Sequence, residues 1–301
     1  MSGNSRIKAA YGGNAMKKVL IIGSTGYLGK YLVQECKRQG YWVRALARNP
    51  QKLEKIKDCI DHLFIGEVTR PETLKGVCDD IDVVISALGV ASSRTDEKIP
   101  MEDVDYGGNK NVLDRAISAS VKKFIFVSFI VSPVYEHLEI TLIKKMFEKV
   151  LIESGIDYCI VRPTGFFADM KEFYALARKG RVYLMGHGNY KGNPIHGSDL
   201  AQFCVEAIDA QEKELPVGGP EVYTYRQTAE LAFRILGKPA RITIIPGWPL
   251  NLLLKLMKPF LSRRKFIALQ FLFTAMQSDA LAPKYGTHTL ENFFKELKQS
   301  H

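Results

Sequence analysis

Residues Lys18 to Gly29 read KVLIIGSTGYLG, an apolar run followed by a loop that contains three glycines. The run KVLII has the length and the β-branched content of a buried strand. Gly23, Gly26 and Gly29 follow at the spacing GxxGxxG, and a helix is predicted from Tyr31 to Arg38. In such a strand–turn–helix, the first glycine permits a tight turn, the second lets a ligand approach the backbone, and the third lets the helix pack close to the strand. The N–H groups at the start of the helix favour a bound phosphate.

Strands and helices alternate along the chain from Met16 to Pro163. The predicted strands are Lys18–Ile22, Tyr41–Ala47, His62–Ile65, Asp82–Ala87, Lys123–Ser128 and Tyr158–Arg162. The helices predicted between them are Tyr31–Arg38, Asn49–Lys57, Pro71–Val77, Tyr106–Ser120 and Leu142–Glu153. Helices of this length between strands imply parallel βαβ units with right-handed crossovers. The pattern predicts an α/β fold with a Rossmann-type, doubly wound parallel sheet.

The sequence pattern divides the chain into three parts. Residues 1–15 are polar, lack an apolar signal segment and predict a flexible N-terminal extension. Residues 16–163 form the predicted nucleotide-binding domain. Glycines and prolines become frequent after Pro163, and residues 164–301 predict a smaller C-terminal substrate lobe, with elements between Arg181 and Ile208 returning to the main sheet. Within this part a turn is predicted at Val217–Pro220 and a helix at Tyr225–Leu236.

The end of the second strand indicates which cofactor the glycine loop holds. A site for NAD(H) usually has an acidic residue here, which bonds the ribose 2′-hydroxyl. This sequence has Arg48 instead, and Arg44 precedes it with the same side-chain parity. Arginine suits a 2′-phosphate because its planar guanidinium donates two bonds at once. The cofactor is therefore predicted to be NADP(H), and an ordinary exposed arginine is the alternative. Glu67, Val68, Ala87 and Leu88 follow the next strands and are predicted to line the same site.

Residues 105–112, DYGGNKNV, resemble the fourth-helix pattern of the atypical and extended short-chain dehydrogenases/reductases, and the resemblance runs from Lys17 to Leu297. The YxxxK motif of ordinary members is absent, because Tyr135 is followed four residues later by Glu139. Lys144 to Glu148 is similar to the KxxxE helix of atypical members. The resemblance implies that Lys144 lies at the nicotinamide ribose and is the catalytic lysine.

A narrower resemblance extends beyond the cofactor domain to the divinyl chlorophyllide 8-vinyl-reductase family. The segments that carry it are IVRPTGFF at 160–167, GRVYLMGHG at 180–188, PIHGSDLA at 194–201, PVGGP at 216–220, FRILGK at 233–238 and YGTHTLENFF at 285–294. It implies an NADPH-dependent reductase of a conjugated double bond, with a flat, apolar, tetrapyrrole-like substrate. A shared subfamily does not fix a substrate. A reductase or isomerase of a quinone or sugar-like compound, and a non-catalytic NADPH sensor or assembly factor, remain open.

Two groups of site residues follow. The predicted catalytic residues are Lys144 and Tyr135, with water as the other candidate proton donor. The predicted cofactor-binding residues are Gly23, Ser24, Thr25, Gly26, Tyr27, Leu28, Gly29, Arg48, Glu67, Val68, Ala87, Leu88, Ser128, Lys144, Pro163 and Thr164. His196, close to Asp199 in sequence, is either a pocket residue or a hydrogen-bonded structural histidine.

Composition limits the partners. The formal net charge of +10 favours anionic partners without choosing among them. The five cysteines are widely spaced and lack zinc-site spacing, so reduced thiols and no metal are predicted. No helix-turn-helix, zinc finger or aromatic RNA motif accompanies the charge, so no nucleic acid is predicted. The expected location is cytoplasmic, and the sequence leaves the oligomeric state open.

A second apolar and basic segment runs from Trp248 to Met276. Leu250, Leu253 and Met257 alternate with lysines, and the basic run Arg263 to Lys265 follows. Such a segment predicts peripheral contact with an anionic membrane surface. Ordinary packing, a wall of an apolar pocket and a dimer contact are the alternatives.

Overall fold

Seven parallel strands form the central sheet in a computed structural model, which describes residues 16–89, 99–130, 132–247, 254 and 256–299. Four further strands form two small two-stranded sheets, β8 with β10 and β7 with β11. All strands of the described residues, in chain order, are β1 (Lys18–Ile22), β2 (Trp42–Ala47), β3 (His62–Ile65), β4 (Val83–Ser86), β5 (Lys123–Val127), β6 (Asp157–Pro163), β7 (Val182–Met185), β8 (Lys191–Gly192), β9 (Glu214–Val217), β10 (Tyr223–Thr224) and β11 (Ile242–Ile245). The order in the sheet is β3-β2-β1-β4-β5-β6-β9. The sequence order reverses between β1 and β4, and this confirms the doubly wound Rossmann-type sheet.

Helices cover both faces of this sheet and build the C-terminal lobe. The α-helices whose bounds lie within the described residues are α1 (Tyr27–Arg38), α2 (Asn109–Ser118), α3 (Glu139–Glu153), α4 (Phe167–Arg178), α5 (Gly197–Glu206), α6 (Tyr225–Leu236), α7 (Arg263–Ala275) and α8 (Leu290–Gln299). Shorter helical turns are 3-10 helices at Pro50–Cys59, Pro71–Leu74, Pro133–Tyr135 and Lys258–Phe260, and a π-helix at Asp103–Gly108. The predicted N-terminal extension, residues 1–15, lies outside the described residues.

Strand β1 is buried on both faces, as the run KVLII predicts. Val19 and Ile21 belong to the core under α1 and α5, whereas Leu20 and Ile22 belong to the core under α2 and α3. Alternate side chains of a strand point to opposite faces, so this one strand supports two hydrophobic layers. A third core, which includes Phe167, forms the lobe from α4, α6 and α8.

Local backbone chemistry explains where the predicted helices differ from the observed ones. Helix α1 begins at Tyr27 and not at Tyr31, because Gly26 already acts as its N-cap. The segments predicted as helices at 49–57 and 71–77 form 3-10 helices, each with a proline in its first turn. The predicted helix at Tyr106–Ser120 is a π-helix followed by α2, which begins only at Asn109.

The edge of the main sheet beyond β6 also differs from the sequence expectation. The segment before the predicted turn at Val217–Pro220 is a strand, β9, and it joins the sheet as its last strand. Pro216 cannot donate to a strand ladder, so this strand suits an edge position. Within Arg181–Ile208, helix α5 packs on the main sheet, whereas β7 pairs with β11 outside it.

Candidate cofactor and active site

The loop after β1 meets the end of β4 at the carboxyl edge of the sheet. Gly23 has φ +76°, and a Cβ built on it would lie 2.6 Å from the carbonyl oxygen of Ala87. A side chain at position 23 would therefore be strained and would push the two strand ends apart. Gly23 and Ala87 thus form the crevice at which doubly wound folds bind ligands.

The other two glycines of the loop serve different purposes. A Cβ on Gly29 would lie 2.1 Å from the carbonyl oxygen of Gly23, so only glycine lets α1 pack this closely on the loop. A Cβ on Gly26 would meet a single described atom within 4 Å, the same Gly23 oxygen at 3.1 Å. The space in front of Gly26 is therefore available to a ligand, as expected for a pyrophosphate-binding glycine.

The start of α1 is suited to an anion. No side chain of the described chain caps this helix, and its first turn contains no acidic residue. The N–H groups and the positive end of the helix dipole are thus left for a phosphate. Two hydroxyl groups of this segment are bonded to the protein itself: Ser24 Oγ donates to the Leu46 carbonyl at 2.7 Å, and Tyr27 Oη accepts from the Gly197 N–H at 3.0 Å. Leu28 is buried in the core.

A basic cavity of about 270 Å³ lies beside this loop. Thr25, Arg48, Asn49 and Lys52 line it, and the Arg48 side chain is 45% exposed. The side chain of Asn49 accepts from the Gln51 N–H and starts the 3-10 helix that carries Lys52 back to Arg48. Two cations in one cavity favour a dianionic ligand group such as a 2′-phosphate.

Lys52 lies outside the set of predicted site residues, although it follows Arg48 at a spacing of four residues. Arg44, by contrast, is held elsewhere. Its guanidinium donates to the carbonyls of Val77 and Asp79 at 2.9 Å and lies 5.3 Å from the centre of the Trp42 ring. Arg44 is therefore not among the residues that line the cavity, although it lies on β2, the strand that ends just before Arg48.

Residues after β3 and β4 line the next part of the crevice. A Cβ on Gly108 would lie 2.8 Å from Val68 Cγ2 and 3.2 Å from Leu88 Cδ2. The Val68 carbonyl accepts from Asn111 Nδ2 at 2.8 Å. The Glu67 carboxylate lies 3.5 Å from Arg48 Nη1, and it pairs with Arg70 at the same distance. Glu67 thus contacts a residue of the basic cavity, and Val68 and Leu88 both lie against Gly108.

Lys144 lies on α3, and its side chain is 11% exposed. Its Nζ is 3.3 Å from the Asp105 carboxylate and 5.1 Å from the centre of the Phe126 ring. The same atom is 3.6 Å from the Cβ position of Gly89, two residues after Ala87. The ammonium therefore lies at the carboxyl edge of the sheet, beyond the end of β4.

One turn further along α3, Glu148 joins three elements. Its carboxylate accepts from Ser128 Oγ at 2.5 Å and from both terminal nitrogens of Arg162 at 2.9 Å. Arg162 also bonds Glu214 on the edge strand β9 at 2.8 Å. A bidentate arginine–carboxylate pair fixes geometry. This network fixes the face of α3 that carries Lys144. The Ser128 hydroxyl takes part in it as a donor to Glu148.

Tyr135 lies in the 3-10 helix before α3 and is buried. Ser278 Oγ donates to its hydroxyl at 2.7 Å, and its ring centre is 5.8 Å from that of Phe271 on α7. Burial raises the pKa of Tyr135, and the bond from Ser278 opposes this rise. The phenol is therefore protonated at neutral pH.

Pro163 ends β6, and Thr164 connects the strand to the lobe. The Pro163 carbonyl accepts from the Ile130 N–H, and Thr164 Oγ1 donates to the Asn193 carbonyl at 2.6 Å. These two residues thus lie on the side of the crevice that faces the C-terminal elements.

His196 and Asp199 have structural partners. The His196 ring accepts from the Ser198 N–H as the N-cap of α5. Burial and repulsion from His288 lower the pKa of His196 to about 4. Asp199 accepts from the N–H groups of Thr287 and His288 and contacts the His288 ring at 2.7 Å. These contacts fasten the C-terminal segment to α5.

Among the described residues, no group of three or more His, Cys, Asp or Glu side chains is arranged to hold a metal ion. No helix within the same ranges is long and apolar enough to span a membrane.

The chain is similar in sequence to known proteins over most of its length. The family described as NAD(P)H-binding matches residues 23–211. A chloroplastic divinyl chlorophyllide a 8-vinyl-reductase from Cucumis sativus is 30% identical over 319 residues, covering 93% of this chain and 75% of that protein. The photosystem II assembly factor Ycf39 from Synechocystis sp. is 29% identical over 235 residues, covering 76% and 71%.

A solved structure shows the same fold at low sequence identity. The NADPH complex of the quinone oxidoreductase QOR2 from Escherichia coli has a TM-score of 0.72 at 18% identity, covering 93% of this chain and 99% of that one. The glycine loop and the crevice at β1 and β4 lie within the matched family region. The chain belongs to the NAD(P)H-binding family of atypical short-chain dehydrogenases/reductases, and its similarity to reductases supports an NADPH-dependent oxidoreductase.

Proposed function

We propose that this protein is an NADPH-dependent reductase of a conjugated carbon–carbon double bond. The best single substrate is the 8-vinyl group of a divinyl chlorophyllide-type tetrapyrrole. The observation that carries the proposal is the buried ammonium of Lys144, held at the sheet edge that also carries the glycine loop. The similarity to an 8-vinyl-reductase over 93% of the chain, lobe included, supports this substrate class.

The residues of the crevice fit NADPH. The start of α1 would hold the pyrophosphate, and Arg48 and Lys52 would hold the 2′-phosphate. Val68 and Leu88 would contact the adenosine part. When bound, NADPH supplies a hydride, and the protein supplies orientation and electrostatics. Lys144 would face the nicotinamide end and stabilise negative charge that develops on the substrate.

The substrate side of the site is apolar and aromatic. The ring centres of Phe129, which follows Ser128, and Phe271 on α7 are 5.7 Å apart, and Tyr135 packs on the same Phe271 ring. Rings of this kind suit a flat, apolar substrate. The proton comes from water or from the Tyr135 hydroxyl, which burial keeps protonated.

The direct test is an NADPH oxidation assay against divinyl chlorophyllide, followed by the spectral shift of the pigment. We expect substrate-dependent oxidation together with the shift to the monovinyl spectrum. A quinone and a nucleotide sugar serve as comparison substrates. Turnover of either in place of the pigment would overturn the substrate assignment.

A second candidate is a non-catalytic NADPH-binding assembly factor or sensor. The absent YxxxK motif and the similarity to a photosystem II assembly factor favour it. That similarity covers 76% of this chain, against 93% for the reductase. An assembly factor would bind NADPH without substrate-dependent oxidation, so the same assay separates the two.

The basic cavity predicts a preference for NADPH over NADH. We expect Arg48→Asp to weaken NADPH binding by about a hundredfold, because a charge-assisted phosphate contact is lost and a repulsion is added. NADH binding should change little. Both dissociation constants can be measured by fluorescence titration.

Lys55→Asp is the matched control for this prediction. Lys55 is exposed on the same 3-10 helix but does not line the cavity, and the charge change is identical. Lys52→Ala should lower the preference in the same direction as Arg48→Asp. An Arg48→Asp protein that keeps its preference for NADPH would show that Arg48 is not the phosphate ligand.

We also propose that the protein is cytoplasmic and makes peripheral contact with anionic membranes through the segment 248–276. Residues 248–253 and 255 of this segment lie outside the described residues. Leu256 is 64% exposed and Phe260 is 87% exposed, with Lys258 between them. Exposed apolar side chains beside lysines are typical of interfacial segments.

Sedimentation with vesicles of phosphatidylglycerol and phosphatidylcholine tests this contact. We expect binding at low salt that weakens as salt screens the charges. Phe260→Ser should reduce the bound fraction, whereas Ile65→Ser, which changes a residue 55% exposed on β3, should not. Absence of binding at low salt would rule the contact out.

A further inference from the structure

The ion pair between Asp105 and Lys144 is buried at the carboxyl edge of the sheet. The Asp105 side chain is 2% exposed and the Lys144 side chain 11%, and Lys144 Nζ is 3.3 Å from Asp105 Oδ1. The two residues come from different helices and meet in front of Gly89. A Cβ on Gly89 would lie 3.3 Å from the carboxylate and 3.6 Å from the ammonium. The pair therefore lies against the backbone that continues from β4.

The backbone around Asp105 holds its carboxylate in this position. Asp105 lies in the π-helix Asp103–Gly108, and π-turns within helices are frequent at functional sites. Its carbonyl accepts from Asn109 Nδ2 at 2.7 Å. Asn109 Oδ1 in turn accepts from Ser86 Oγ at 2.5 Å, at the end of β4. The π-helix is thus fastened to the strand whose continuation contacts the glycine loop.

A contribution to folding stability does not by itself explain why this charged pair is buried. Removing two charges from water costs more than their attraction often returns, and apolar replacements of buried pairs are frequently neutral or stabilising. The Phe126 ring lies 5.1 Å from Lys144 Nζ and supports the ammonium from a second side. An ammonium held by a carboxylate and a ring has one defined position, which is what a charge at a reacting centre requires.

We propose that Asp105 is a positioning residue, which holds the ammonium of Lys144 at the nicotinamide end of the cofactor site. This inference rests on the proposed function, because that function places Lys144 beside the nicotinamide ribose. Asp105 itself acts through Lys144. Loss of Asp105 should therefore have no further effect on NADPH binding once Lys144 has been removed.

A double-mutant cycle in ligand binding tests the proposal without relying on turnover. The variants are Asp105→Asn, Lys144→Met and the double variant, and the probes are NADPH and 2′,5′-ADP. The second probe carries the 2′-phosphate but lacks the nicotinamide half. We expect Asp105→Asn to weaken NADPH binding by about tenfold, on the scale of one charged hydrogen bond, and to leave 2′,5′-ADP unchanged. The double variant should bind NADPH no more weakly than Lys144→Met does.

A purely structural role would give other results. Equal losses for NADPH and 2′,5′-ADP, or independent effects of the two substitutions, would overturn the proposal. If Asp105→Asn fails to fold, Asp105→Glu keeps the charge and moves it by one methylene. NADPH binding several-fold weaker than native would then support positioning, and native affinity would overturn it. Failure of the pigment assay would reject the proposed substrate, whereas this cycle would still report on Asp105.

Discussion

The Gly26→Val protein is expected to fold and to bind NADPH more weakly than the native protein, by on the order of a hundredfold or more. Gly26 has φ −76° and ψ 177°, a conformation that any residue adopts. The one described atom within 4 Å of its Cβ position is the Gly23 oxygen at 3.1 Å. Valine at this position would therefore fill the space in front of α1, where a pyrophosphate would lie, with limited effect on the protein itself.

Gly29→Ala is the matched control for this prediction. Its Cβ would lie 2.1 Å from the Gly23 oxygen and 2.7 Å from Ser24 Cα, so we expect it to lower the melting temperature. Gly26→Val should lower binding with a near-native melting temperature. Isothermal titration and thermal unfolding measure the two effects separately. Undiminished NADPH affinity in a folded Gly26→Val protein would remove the glycine loop from the site.

The main sheet could be predicted because its strands are locally distinct. Runs such as KVLII at Lys18–Ile22 are apolar at every position after the first lysine, as expected of strands covered on both faces. The strand β9 could not be predicted from its residues, ELPV at Glu214–Val217, because only Leu215 and Val217 are aliphatic in this short segment. Pro216 argues against a central strand, and only the edge position makes it acceptable.

In the candidate site, too, local sequence predicts some residues, whereas tertiary packing determines the partners of others. The interpretation of Gly23 and Gly29 depends on backbone geometry within one turn, which the spacing GxxGxxG already encodes. Lys52 could have been identified, because it follows Arg48 at a short spacing after a proline-initiated turn. The partners of Asp105 and Tyr135 could not. Lys144 and Ser278 reach them only through tertiary packing.

Lys144→Met is expected to reduce kcat by at least about a hundredfold, the scale of losing one good electrostatic contact at the reacting centre. Methionine keeps the apolar stem and removes the charge. Lys145→Met is the matched control, because Lys145 is 43% exposed on the same helix and pairs with Glu136. We expect Lys145→Met to have little effect. Steady-state assays with the pigment substrate measure both.

The structure adds a control for stability to this experiment. Lys144→Met leaves the Asp105 carboxylate buried beside an apolar group, and breaking a buried pair costs about 3–5 kcal/mol. The double variant Lys144→Met/Asp105→Asn removes both charges, so a low kcat in a stable double variant would point to chemistry and not to unfolding. Small, equal effects of Lys144→Met and Lys145→Met would leave the protein without an identified catalytic side chain. Because nucleotide binding would then persist without a group that assists reduction, that result would favour the assembly-factor candidate.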